Sequence, residues 1–282
     1  NIARLENETF IHLASLVSLT MISNKISEIE LYAFKNLTNL QSLTLTLNQI
    51  AVLRKNRLRF LTNLKELNLD YNKIKFIEME AFAGLQTNMH NLSLANNKLE
   101  VLKSFYFKEL VNLQILRLSS NQISSIDSST FDNLKKLFYL YLNDNCITKI
   151  DSSVFFRQIN LIELDMSFNL INNLNENSFK FNNKSNMIKL NLANNRLTSL
   201  TNRILKNLPN LQWVSFENNL ISEIEPDCFL YLSNLIYLNL NFNTFRRQKN
   251  LRLKHSPFDF LRKLKSLHLR KTLNLLFPIE LL

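Results

Sequence analysis

The stretch Leu64-Lys-Glu-Leu67-Asn-Leu69-Asp-Tyr-Asn72-Lys-Ile74 decides the fold. Its spacing is L-x-x-L-x-L-x-x-N-x-I/L. The L-x-L piece alternates, so it reads as a short strand with Leu67 and Leu69 facing inward and Glu66 and Asn68 facing out. The same pattern stands one period earlier as Leu40, Leu43, Leu45, Asn48 and Ile50. Working outward, the anchoring asparagines are Asn24, Asn48, Asn72, Asn97, Asn121, Asn145, Asn169, Asn195, Asn219 and Asn243. Most steps are 24 residues, one is 25 and one is 26. An eleventh copy, Leu264, Leu267 and Leu269, carries Thr272 where the asparagine would stand.

Internal repetition of this kind means a solenoid. One strand per repeat at a fixed interval stacks into a parallel sheet. A single coil cannot bury its own leucines, so stability comes from contacts between neighbours. The asparagine sits where the chain leaves the strand, and its amide can both donate and accept. It is therefore expected to satisfy backbone groups that stacking would otherwise bury unpaired. A second apolar pair follows each anchor. Five residues on stands Ile or Leu, as in Ile29, Leu53 and Ile77. Ten residues on stands Phe34, Phe82, Phe107, Phe131, Phe155, Phe179 or Phe229, with Leu58 and Leu205 as exceptions. A phenylalanine spine packing coil on coil is the expectation.

These repeats resemble the leucine-rich-repeat family over the whole chain. The Phe-bearing 24-residue unit resembles the subclass common in animal cell-surface proteins. Asn24-Lys-Ile-Ser-Glu-Ile with Phe34, and the irregular insertion after Asn243, are similar to Toll-like receptor ectodomains. Leu174-Asn-Glu-Asn-Ser-Phe179 and Phe258-Asp-Phe-Leu-Arg-Lys-Leu-Lys-Ser-Leu267 are similar to relaxin-type receptors. The resemblance implies an α/β solenoid: a horseshoe of about eleven repeats with a parallel sheet on its concave face. It also implies an extracellular or cell-surface receptor or adhesion region that signals after binding a ligand, most readily a protein. The cysteine-rich caps of both families are missing, and no ligand-binding residue carries over. Apolar Leu275, Leu276, Phe277, Leu281 and Leu282 lie at the far end. The expectation is one solenoid over 1–282, a fragment lacking its caps.

Composition excludes several chemistries. Gly84 is the only glycine, so no phosphate-cradling loop can be written. The four histidines, His12, His90, His255 and His268, have no partner at metal-ligand spacing. Cys146 and Cys228 form no CxxC, and their different places in the repeat give no reason to expect a bridge. No cofactor, metal or catalytic set is expected. No apolar run approaches the roughly 20 residues of a membrane-spanning helix. Oligomeric state is not legible.

Outward strand positions are the candidate binding surface. Early repeats place small polar groups there. Later ones place Arg117, Tyr139, Tyr141, Glu163, Asp165, Trp213 and Tyr237 there, and Glu217 sits among them. Aromatic groups among charges are typical of interface anchors, although aromatics also simply suit strands. Arg117, Tyr141 and Asp165 occupy the same position on three consecutive repeats. They could form a binding row or a surface charge pair bracketing a tyrosine.

The net charge is +11, and ten basic residues against Asp259 place nine of those charges between residues 246 and 271. Arg246, Arg247, Lys249, Arg252 and Lys254 open that stretch as a candidate polyanion site, for a glycan or nucleic acid; a solvated insertion is the plainer reading. Sequons at Asn7, Asn36, Asn91 and Asn183 permit glycosylation and secretion, but a chain this rich in asparagine yields as many by chance. An intracellular, cytoplasmic interaction scaffold is the alternative, favoured by the lack of disulfide caps.

Overall fold

The computed structural model describes residues 1–245 and 256–272, which fall into two compact units, Asn1–Tyr141 and Leu142–Leu282. In the first unit the L-x-L pieces form three-residue strands: Ser18–Thr20, Ser42–Thr44, Glu66–Asn68, Asn91–Ser93, Ile115–Arg117 and Tyr139–Tyr141. Each pairs in parallel with the next, equivalent residue on equivalent residue. The central Leu43, Leu67, Leu92, Leu116 and Leu140 are buried, while the residues on either side are more open, except Ser93, which is buried with its hydroxyl on Asp70. This is the alternation the sequence pattern dictates.

The return path is built of turns and two-residue strands. Arg4–Leu5 pairs with Glu28–Ile29, Val52–Leu53 with Phe76–Ile77, and Val101–Leu102 with Ser125–Ile126, all in parallel. Ile29, Leu53, Ile77 and Leu102, five residues beyond the anchors, are the buried members of these pairs. No described residue is helical. The phenylalanines stack as expected: Phe10 on Phe34 at 6.1 Å, Phe82 on Phe107 at 6.3 Å and Phe107 on Phe131 at 6.5 Å between ring centroids. Leu58 interrupts the column and is buried in its place.

The asparagine ladder closes the polar account of the core. Asn72 accepts from the Ile50 amide at 3.0 Å and donates to the carbonyls of Leu45 at 2.9 Å and Leu69 at 3.0 Å. Asn48, Asn97 and Asn121 repeat this on their own coils. Each side chain thus ties the backbone of neighbouring coils where water cannot reach, and an unpaired amide there would cost about 1–3 kcal/mol. The residue just before each anchor is left-handed: Ser23, Leu47, Tyr71, Asn96 and Ser120 have φ between 54° and 58°. Only a turn of this hand brings the chain sharply out of the strand, and the repeats achieve it without glycine.

The second unit is built alike. Its sheet contains Glu163–Asp165, Lys189–Asn191, Trp213–Ser215, Tyr237–Asn239 and Ser266–His268 in parallel register, with Ser199–Leu200 paired to Glu223–Ile224 on the return side. Asn169, Asn195, Asn219 and Asn243 form its ladder. Phe155 stacks on Phe179 and Phe229 on Phe258. Asp144, Phe168, Asn194, Asn218 and Phe242 take the left-handed position. Cys228 is buried and Cys146 exposed, both as free thiols; burial holds the Cys228 thiol well above its ordinary pKa.

Candidate functional site

The outward face of the second unit's sheet carries the most organised set of side chains. Strand register places Glu163 beside Lys189, Lys189 beside Trp213, and Trp213 beside Tyr237. The side chains use that alignment. The Lys189 ammonium bonds Glu163 Oε1 at 2.9 Å and stands 5.1 Å from the centre of the Trp213 ring. Trp213 stacks on Tyr237 at 5.2 Å and 6° between planes. Tyr237 meets His268, from the next strand, at 4.9 Å. The result is a continuous file, carboxylate, ammonium, indole, phenol, imidazole, across five strands. Trp213 and Tyr237 are half-buried: their faces stack on one another, and the remainder is open to a partner.

The file is preorganised. Stacked rings and a cation over an indole each favour the observed geometry by about 0.5–1.5 kcal/mol. A partner that lands on them freezes little additional freedom. Beside the file, Asp165 Oδ2 accepts from Asn191 Nδ2 at 3.1 Å, and Asp165 Oδ1 accepts from the Ser167 hydroxyl at 2.6 Å. Glu217 Oε2 accepts from Asn239 Nδ2 at 3.0 Å. These carboxylates are tied down on the flank by side-chain hydrogen bonds. The structure therefore joins Trp213 and Tyr237 directly, joins Glu163 through Lys189, and leaves Asp165 and Glu217 as a bordering acidic strip.

In the first unit, Arg117 and Tyr141 come together, the guanidinium 5.5 Å from the ring centre. Arg117 Nη1 also donates to Asn91 Oδ1 at 2.8 Å. Tyr139 occupies the other outward position of the same strand as Tyr141, half-buried. Two members of the file, Lys189 and His268, were not among the sequence candidates. Their signal was present: Lys189 stands in the same repeat position as Glu163, Trp213 and Tyr237, where an ammonium between a carboxylate and an indole has favourable neighbours on both sides.

Of the sequon asparagines, Asn7, Asn36 and Asn183 are exposed. Asn36 donates its amide to the Ile11 carbonyl at 3.2 Å. Asn91 lies on a strand, part-buried against Arg117. Arg246, Arg247, Lys249, Arg252 and Lys254 lie outside the described residues, as do the apolar residues from Leu275 to Leu282. Among the described residues no group of three or more His, Cys, Asp or Glu side chains could hold a metal ion, and no helix is long and apolar enough to cross a membrane.

Comparison with known proteins places this architecture. The family pattern described as leucine rich repeat matches residues 1–50, 38–86, 87–147 and 185–245. No curated protein matches the chain in sequence. Among solved structures, Toll in the Toll–Spatzle complex of Drosophila is 26% identical, with a TM-score of 0.88 over 96% of this chain and 37% of that one. TLR13 in the TLR13–ssRNA13 complex is 29% identical, with a TM-score of 0.85 over 95% of this chain and 38% of that one. A chain of the octameric Latrophilin 3, Unc5D and FLRT2 complex shares the fold at 22% identity, with a TM-score of 0.75 over 95% of this chain and 79% of that one. The chain spans little more than a third of the length of the Toll and TLR13 chains. With repeats matched over most of its length, the chain belongs to the leucine-rich-repeat family.

Proposed function

We propose that this chain is the ligand-binding part of a cell-surface receptor, and that it recognises a protein through the outward sheet face of its second unit. The observation that carries the reading is the file from Glu163 to His268. Large stiff rings stand at outward strand positions, where the repeat core has no use for them, and burying them removes much apolar area from water. The acidic flank of Asp165 and Glu217 favours a partner with basic or mixed charge. Similarity to Toll, whose structure is that of a complex with Spatzle, supports a protein ligand and an extracellular setting, in which Asn7, Asn36 and Asn183 are the accessible glycosylation sites. Arg117, Tyr139 and Tyr141 offer a smaller patch on the first unit.

The test is a screen of the soluble chain against an array of secreted and cell-surface ectodomains, with Trp213→Ala in parallel. Partners retained by wild type and lost by the variant support the proposal. Partners bound equally by both overturn it.

A second reading is polyanion binding through residues 246–271. Nine of the eleven excess positive charges lie there, and similarity to TLR13 in its ssRNA13 complex points the same way. Neutralising Arg246, Arg247 and Lys249 should then weaken binding of a single-stranded RNA oligomer and flatten its steep salt dependence. Unchanged binding removes this reading.

A further inference from the structure

The sheet of the first unit carries a hollow of about 310 Å³ on its outward face. It arises where side chains are short. Its polar lining is Ser42, Thr44, Glu66, Asn68, Asp70, Asn91 and Ser93, with the long side chain of Arg117. We propose that this hollow binds a neutral saccharide of one or two rings.

The argument rests on which polar groups are committed and which are not. Arg117 is fixed, bonded to Asn91 Oδ1 and seated over the Tyr141 ring. Asn68 Oδ1 accepts from the Asp70 amide at 2.9 Å, which leaves its two N–H donors. Asn91 likewise keeps its N–H donors once its oxygen is engaged. The Ser42 and Thr44 hydroxyls and the Glu66 carboxylate have no side-chain partner among the described residues. Donors and acceptors thus alternate on strands spaced about 4.8 Å apart, backed by a ladder that holds them rigid. On the second unit, by contrast, the outward carboxylates are already paired with side chains.

A sugar hydroxyl donates one hydrogen bond and accepts others, so a ring with adjacent hydroxyls can satisfy this mixed set. An apolar ligand would strip water from the same groups and leave them unpaired. An anion meets Glu66 and Asp70; a cation meets Arg117 and finds amide donors with nothing to accept. Small-molecule sites span about 300–1,000 Å³, so this volume admits a short saccharide and little more.

The test uses the chain made in bacteria, which leaves Asn91 unglycosylated. Saturation-transfer NMR is run with free glucose, galactose, mannose, fucose and N-acetylglucosamine, and with lactose, maltose and trehalose. Lysine and putrescine serve as cationic comparators. At least one sugar should receive saturation and bind in the micromolar to millimolar range. Ser42→Tyr should abolish the signal by filling the hollow. A tyrosine suits that position, since Tyr139 holds the equivalent place on its own strand. Asn91→Leu should weaken binding about tenfold or more, and Trp213→Ala should leave it unchanged, which separates this site from the proposed protein-binding face. The proposal is overturned if no sugar responds, if only lysine or putrescine responds, if folded Ser42→Tyr and Asn91→Leu both keep the signal, or if Trp213→Ala removes it.

Discussion

The rings of Trp213 and Tyr237 lie 5.2 Å apart and 6° from parallel, on adjacent strands in direct register. Trp213 is the sole tryptophan of the chain, so intrinsic fluorescence reports this one place. Tyr237→Ala uncovers a face of the indole, and its emission should move to longer wavelength, with a loss of stability of about 0.5–1.5 kcal/mol. An emission spectrum identical to wild type would mean that the two rings do not stack in solution.

The one glycine has a steric reason. Gly84 has φ of 93°, and a Cβ added there would lie 2.3 Å from the Arg59 carbonyl oxygen. That neighbour is backbone and cannot swing away. Gly84→Ala should lower stability by about 1–2 kcal/mol through conformation alone, and the clash adds to this. Ala83→Gly, next to it, should cost under about 1 kcal/mol. Urea midpoints measure both, and equal midpoints for the two variants would contradict the close approach.

The ladder makes its own forecast. Asn72 is buried and bonds backbone atoms of the preceding coil and of its own. Asn72→Leu leaves those groups dry and unpaired and should cost about 1–3 kcal/mol. Asn63, an exposed asparagine that donates only to the Thr38 carbonyl, is the control: Asn63→Leu should cost under about 1 kcal/mol. Chemical denaturation of the pair checks the difference, and an unchanged midpoint for Asn72→Leu would remove the ladder from the account.

Tyr71 occupies the left-handed turn with φ of 54° and is 53% exposed. Other coils place Asn96, Asn194 and Asn218 at this point, a residue type that tolerates the conformation. Tyr71→Asn should therefore raise stability by about 1 kcal/mol. A lower melting temperature for the variant would show that the tyrosine ring contributes contacts that outweigh its backbone strain.

The ladder and the phenylalanine column were legible in the sequence because each demands one residue type at one spacing. Asn72 and Phe107 could be placed by counting. The left-handed turn was not legible, since Ser23, Leu47, Tyr71 and Phe168 share a backbone conformation and no chemistry. The outward columns could be written down, and Trp213 and Tyr237 stood out in them. Lys189 and His268 did not, because register fixes where a side chain starts and not where a long or rotatable one ends. The hollow at Ser42 and Thr44 was hidden for another reason: it consists of missing bulk, which shows only beside the reach of Arg117.

The most direct test is the equilibrium affinity of a protein partner identified with the wild-type chain, measured for Trp213→Ala/Tyr237→Ala and for Arg117→Ala. Central aromatic anchors contribute about 2 kcal/mol or more, so the double variant should bind about thirtyfold more weakly or worse, while Arg117→Ala stays within about threefold. Full affinity in a folded double variant, or a larger loss with Arg117→Ala, would contradict recognition through the Glu163-to-His268 file.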